Sequence, residues 1–149
     1  MEPYLLKEYQ NRWYLVARMK GFKNFITFGV DRITHLKIDE EKFTREDDIN
    51  VRQLFAEIIG LIYSTSDVEE VLMEIDEKQG KYFESLPWDE SQKIFKKENK
   101  TFIQLILRPN FELIQRIMMY GNFVEVLKPE WLRNEVSKLL SIASKKYDK

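Results

Sequence analysis

No cysteine occurs anywhere in the 149 residues, and that absence excludes disulfides, thiol catalysis and thiolate metal sites together. The only imidazole is His35. It sits in a short apolar stretch with no metal-ligand spacing around it, and it reads as structural. Glycine numbers only five and never falls as GxGxxG or GxxxxGK, so nucleotide cradles of those kinds are missing. No apolar run approaches the roughly 20 residues of a membrane span, and charges fall at the start of the chain where a signal peptide needs an apolar stretch. A cytoplasmic location without membrane attachment is expected. The carboxylate pairs Glu40-Glu41 and Asp47-Asp48 stand in solvated, charge-rich segments, whereas general acid catalysis needs a desolvated carboxyl. No enzymatic activity, metal or cofactor is expected.

The hydrophobic share of 44% and the aromatic share of 13% are ample for a packed core, in one domain or two small ones. A net charge of −1 hides an uneven distribution. Residues 1–45 carry a net +3, residues 46–98 a net −8 and residues 99–149 a net +4. Basic ends around an acidic middle permit contact with a nucleic acid at either end, but the whole field does not draw in a polyanion.

Arg12-Trp13-Tyr14-Leu15 follows a turn signal at Gln10-Asn11 and opens an apolar run through Val16 and Ala17. It reads as a buried strand leaving a hairpin. Pro3 to Tyr9 supplies its antiparallel partner, Phe25 to Ile33 a further strand ending in a turn, and Thr34 to Ile38 a fourth. Alternation puts Trp13, Leu15 and Ala17 on one face and Tyr14, Val16 and Arg18 on the other. Trp13 is expected in the core, as large aromatics dominate small cores. Tyr14 can pack its ring or stack it on a ligand. Arg32, in a turn, can fork onto a phosphate or carboxylate or pair with Asp31.

The charged residues 39–48 bracket Phe43 and read as a linker that anchors one ring. Asn50 should cap a helix over Val51–Ile62, with Gln53 reaching back and Val51, Leu54, Phe55, Ile58 and Leu61 buried, before Ser64-Thr65-Ser66 ends it. Beyond Val68 a strand at Glu70–Ile75 leads into a helix capped by Asp76, broken at Pro87. Strands at Gln92–Lys97 and Thr101–Leu107 flank a turn at Glu98-Asn99-Lys100. Asn110 caps a helix with Phe111, Leu113, Ile114, Ile117 and Met118 inward, stopped by Gly121. Phe123 to Leu127 form the last strand, and Pro129 opens a final helix whose Leu132, Val136, Leu139, Leu140, Ala143 and Tyr147 share one face. The order βαββαβ with an added helix suggests a ferredoxin-like sandwich.

Two resemblances cover essentially the whole chain. Pro3 to Tyr9, Arg12 to Leu15 and Asp31-Arg32-Ile33 resemble the WYL domain. Leu86-Pro87, Ser91-Gln92, Gly121 to Val126 and Pro129 to Arg133 resemble its C-terminal extension, the WCX domain. The resemblance implies an α+β protein. A small Sm-like β-barrel over residues 1–45 would be joined by a helical linker over 46–66 to a ferredoxin-like domain over 67–149. It further implies a strand ahead of Pro3, so that the barrel is partial and the front of the chain truncated.

The same resemblance implies the ligand-sensing, oligomerising C-terminal portion of a bacterial transcriptional regulator. Such proteins form homodimers and read DNA through an N-terminal helix-turn-helix that this chain lacks. It places a nucleic acid or nucleotide effector on Tyr14 and Arg32, with Arg12, Arg18 and Lys7 as basic neighbours. Two departures bear on that ligand. Ile26 stands where many relatives place an arginine, and Trp88-Asp89-Glu90 where relatives often have a histidine. A second, weaker anion site falls on Arg108, Asn110 and Gln92, where amides open a helix. The alternative is an interaction module that holds a dimer or partner and binds no ligand. Met118-Met119 and Trp131 read as core or dimer contacts.

Overall fold

The computed structural model describes residues 1–46 and 49–148; the expected Asp47-Asp48 pair lies outside them. The chain divides into two compact units between Tyr63 and Ser64. Both are mixed α+β, each with one antiparallel sheet.

In the first unit, β1 (Glu2–Tyr9), β2 (Arg12–Arg18) and β3 (Phe25–Gly29) form a sheet in the order β1-β2-β3. Gln10 and Asn11 join the first two strands with φ of 50° and 60°. This is the left-handed pair that matches a two-residue turn to the twist of the hairpin. Helix α1 (Val51–Ala56) starts where Asn50 Oδ1 accepts the Gln53 N–H at 3.1 Å. Gln53 does not reach back, since its side chain donates to Glu57 instead.

Tyr4, Val16 and Phe25 of the sheet bury themselves against Val51, Phe55 and Ile58. Phe25 meets the rings of Tyr4, Phe55 and Tyr63 edge-on at centroid distances of 5.1, 6.3 and 5.5 Å, a favoured geometry for the aromatic quadrupole. Phe43 anchors on Tyr4 at 5.6 Å.

Three further expectations for this unit fail. Trp13 is 55% exposed, because Val51 and Phe55 of α1 cover the Val16 and Phe25 face and leave the indole on the other. Residues 34–38 form no strand. His35 takes a φ of 54°, which breaks the extended backbone, and Ile38 is 99% exposed. Helix α1 stops at Ala56 rather than near Ile62. Gly60 turns the chain with a φ of 83°, and the Leu61 carbonyl accepts the Thr27 hydroxyl at 3.2 Å.

The second unit runs β4 (Glu69–Ile75), α2 (Glu77–Ser85), β5 (Lys93–Lys97), β6 (Lys100–Leu107), α3 (Phe111–Met119), β7 (Val124–Lys128) and α4 (Glu130–Ser144). Its sheet has the order β5-β6-β4-β7, with every neighbouring pair antiparallel. Alternation sends Val71, Met73, Ile75, Ile103, Leu105 and Leu107 into a core shared with Phe83, Leu113, Ile117 and Leu132. Asp76 and Asn110 cap α2 and α3 through Lys78 and Leu113 amides at 2.8 and 2.9 Å.

Corrections here fall at element ends. Phe111 opens α3 with its ring 55% exposed, and Tyr147, past the end of α4, is 88% exposed. Phe123 belongs to a 3-10 turn ahead of β7. Trp131 lies near the surface, where its indole N–H donates to the Glu69 carboxylate at 3.1 Å.

Candidate functional site

Strand register brings Tyr14 opposite Lys7 of β1 on one side and Gly29 of β3 on the other. Directly opposed residues share a face. Gly29 ends β3, and the chain turns at once into a 3-10 turn over Val30–Arg32. A Cβ at position 29 would stand 2.7 Å from Asp31 Oδ1 and 3.6 Å from Arg32 Cδ. Having no side chain there leaves room for the Asp31 carboxylate, whereas the Arg32 stem would only be in ordinary contact with a Cβ.

A half-buried phenol and an exposed guanidinium thus border a single backbone position. Among the described residues Arg32 makes no ion pair, so the alternative of an Asp31–Arg32 bridge is not what this turn contains. Arg12 starts β2 two residues before Tyr14, on the same face by alternation, and is likewise exposed and unbridged among the described residues. Sequence reasoning does not single out Gly29, although a glycine two residues before Asp31, where a strand meets a turn, is the visible signal of a close approach.

Arg18 and Lys7 serve the fold. Arg18 lies over the Tyr4 ring at 5.3 Å and bridges Glu46 at 2.9 Å and Glu2 at 3.2 Å. The hydrogen bond to Glu46 first, and that to Glu2, raise its pKa above the ordinary value against the lowering effect of burial. Lys7 Nζ donates to the Phe55 carbonyl at 2.8 Å and sits 5.6 Å from that ring's centre. A cation is favourable there, at a helix C-terminus.

Ile26 opposes Ala17, on the sheet face away from Tyr14. It borders a cavity of about 260 Å³ lined by Asn24, Phe25, Ile26, Thr27, Ile62 and Tyr63. No charged side chain lines that cavity, and it lies at the opposite end of β3 from Gly29.

The second expected cluster is committed to internal contacts. Arg108 Nη1 donates to the Ser66 carbonyl at 2.6 Å, and Asn110 spends its Oδ1 on the Leu113 cap. Gln92 accepts from the Trp88 N–H at 2.9 Å and donates to the Phe83 carbonyl at 2.8 Å. Among the described residues no three His, Cys, Asp or Glu side chains gather to hold a metal ion. No described helix is long and apolar enough to cross a membrane.

Residues 1–38, which hold the three strands and the Arg32 turn, match the family model of the WYL domain. Among solved structures, the chain is similar to proteasome accessory factor B/C (PafBC) of Arthrobacter aurescens, at 20% identity and a TM-score of 0.46. That likeness covers 99% of this chain and 22% of the other. No curated protein matches the chain.

Proposed function

We propose that the chain is the effector-sensing and oligomerising C-terminal portion of a WYL-type transcriptional regulator, with an anionic effector of nucleic-acid or nucleotide type held at Tyr14 and Arg32. The observation that carries this reading is the open arrangement at Gly29. An unbridged guanidinium and a half-buried aromatic ring border one glycine in the segment that matches the WYL family. The guanidinium supplies a forked contact to phosphate, Tyr14 a ring edge or hydroxyl, and Arg12 further positive charge. Lys7 ties the sheet to α1, and Arg18 ties β2 to Glu2 and Glu46.

In this reading residues 1–45 belong to an Sm-like barrel, and the second unit is a ferredoxin-like WCX extension. Its antiparallel order β5-β6-β4-β7 and its helices after β4 and β6 support that assignment. The regulator acts in the cytoplasm as a homodimer, reads DNA through a separate helix-turn-helix and catalyses nothing. The effector works by its difference in affinity between two states of the regulator; equal affinity for both would shift nothing.

The test is a fluorescence-anisotropy titration of single-stranded DNA, RNA and nucleotides into the chain at two salt concentrations. Binding should weaken with salt, and Arg32→Ala should weaken the binding of nucleotides, which are too short to reach a second site, by roughly 10- to 100-fold, the loss of a charge-assisted contact. Nucleotides bound as tightly by Arg32→Ala as by the parent would overturn the assignment.

A second reading is an interaction module with no ligand. The observation favouring it is the outer face of the first sheet, where Leu6, Trp13 and Ile26 are all exposed. It predicts dimerisation that Trp13→Ala disrupts and Arg32→Ala leaves intact.

A further inference from the structure

In the second unit, helix-side burial leaves one sheet face open, and that face has an aromatic side and an acidic side. Phe95 of β5 and Phe102 of β6 are paired in register and stack with ring centroids 5.4 Å apart and planes 20° from parallel. Phe95 is 41% exposed and Phe102 half-buried. Alternation puts Lys93 and Lys97 on the same face, one on each side of Phe95, and among the described residues neither makes an ion pair.

The acids on this face lie toward β4 and β7 and are engaged. Lys100 Nζ reaches Glu74 at 2.9 Å, Gln104 Nε2 donates to Glu70 at 3.0 Å, and Arg133 Nη2 holds Glu125 at 2.8 Å. The β5–β6 hairpin itself carries Lys93, Lys96, Lys97 and Lys100 against the single acid Glu98. Its charge is therefore opposite to the acidic middle of the chain as a whole.

We infer that the Phe95–Phe102 pair is a stacking platform for the bases of a single-stranded nucleic acid, whose phosphates follow Lys93 and Lys97 along β5. Charge complementarity selects this occupant. Two lysines spaced along an edge strand match a polyanionic backbone, and rings beside them match unpaired bases, which stack without regard to sequence. The acids on β4 and β7 steer the backbone along the edge and away from a path across the sheet. This site is separate from Tyr14 and Arg32 and does not depend on them.

The test titrates a short labelled oligothymidylate and an oligouridylate into the full chain and its variants, with circular dichroism melts on each. Phe95→Ala, on an exposed ring, should keep the fold and weaken binding by roughly 5- to 150-fold, the worth of one base stack. Lys93→Gln with Lys97→Gln should keep the fold and flatten the slope of log K against log salt by about 1.4, two phosphates' worth for a single strand. Arg32→Ala should leave this binding in place. Phe95→Ala binding like the parent would overturn the proposal, as would loss of all oligonucleotide binding in Arg32→Ala. Equally fatal would be a parent chain that binds neither oligonucleotide but forms a dimer broken by Phe95→Ala, since the face would then join two copies.

Discussion

Replacing Phe55 and Trp13 by alanine, one at a time, separates the two faces of the first sheet. Phe55 is 2% exposed. It meets Phe25 edge-on at 6.3 Å, stacks on Tyr63 at 6.0 Å and lies 5.6 Å beneath Lys7 Nζ. Phe-to-Ala truncation in a core costs about 3–5 kcal/mol, and ring pairs add about 0.5–1.5 kcal/mol beyond area, so Phe55→Ala belongs at the upper end. Trp13, more than half exposed, removes roughly 100 Å² from water, an upper bound of about 2.5 kcal/mol. Its loss should cost about 1–2 kcal/mol, because a compact denatured chain already shades part of that surface. Urea unfolding followed by far-UV circular dichroism compares the two. If Trp13→Ala cost as much as Phe55→Ala, the core would lie on the indole face and the placement of Tyr14 described here would be wrong.

Asn110→Ala should lower the stability of the second unit by about 1–2 kcal/mol, the worth of a buried helix cap, read as a lower melting temperature. The Glu98-Asn99 turn holds both residues at positive φ, 51° and 62°. Glu98→Asn with Asn99→Gly, the preferred pair for such a turn, should raise stability by up to about 1 kcal/mol, and a lower melting temperature would contradict it. Lys96 at 2.7 Å, through its hydrogen bond first and its charge second, holds the Glu77 carboxyl below its usual pKa. The pair's small contribution is present above the unfolded carboxylate value and is lost as pH falls through the depressed folded one. An NMR titration of the Glu77 side chain should show a midpoint below that of an ordinary glutamate, moving up in Lys96→Gln; a midpoint unchanged by Lys96→Gln would refute it.

Local chemistry was legible wherever one or two residues decide the structure. Gln10-Asn11 and Glu98-Asn99 announce tight turns, and Asn50, Asp76 and Asn110 announce helix starts, because each satisfies the backbone without distant help. The four strands of the second unit were legible as short apolar runs bounded by caps and turn signals. What escaped the sequence depends on partners far along the chain. Thr34 to Ile38 has the composition of a strand, but a strand exists only where an edge accepts it, and His35 bends away. Trp13 and Val16 stand on opposite faces either way, and only the arrival of Phe55 decides which face is inside. Arg18 and Lys7 read in the sequence as basic neighbours of the Tyr14 and Arg32 site. Glu2, Glu46 and the Phe55 carbonyl, none adjacent in sequence, claim the first two.

The measurement that bears most directly on the central claim is an amide NMR titration of the chain with single-stranded oligonucleotides and nucleotides. Binding at the Gly29 corner should move the Tyr14, Gly29 and Arg32 resonances together, and Arg32→Ala should abolish those movements while leaving the rest of the spectrum folded. Should these three resonances stay fixed at saturating concentrations of every ligand, this corner would not be an effector site, and the regulator reading would lose its sensing element.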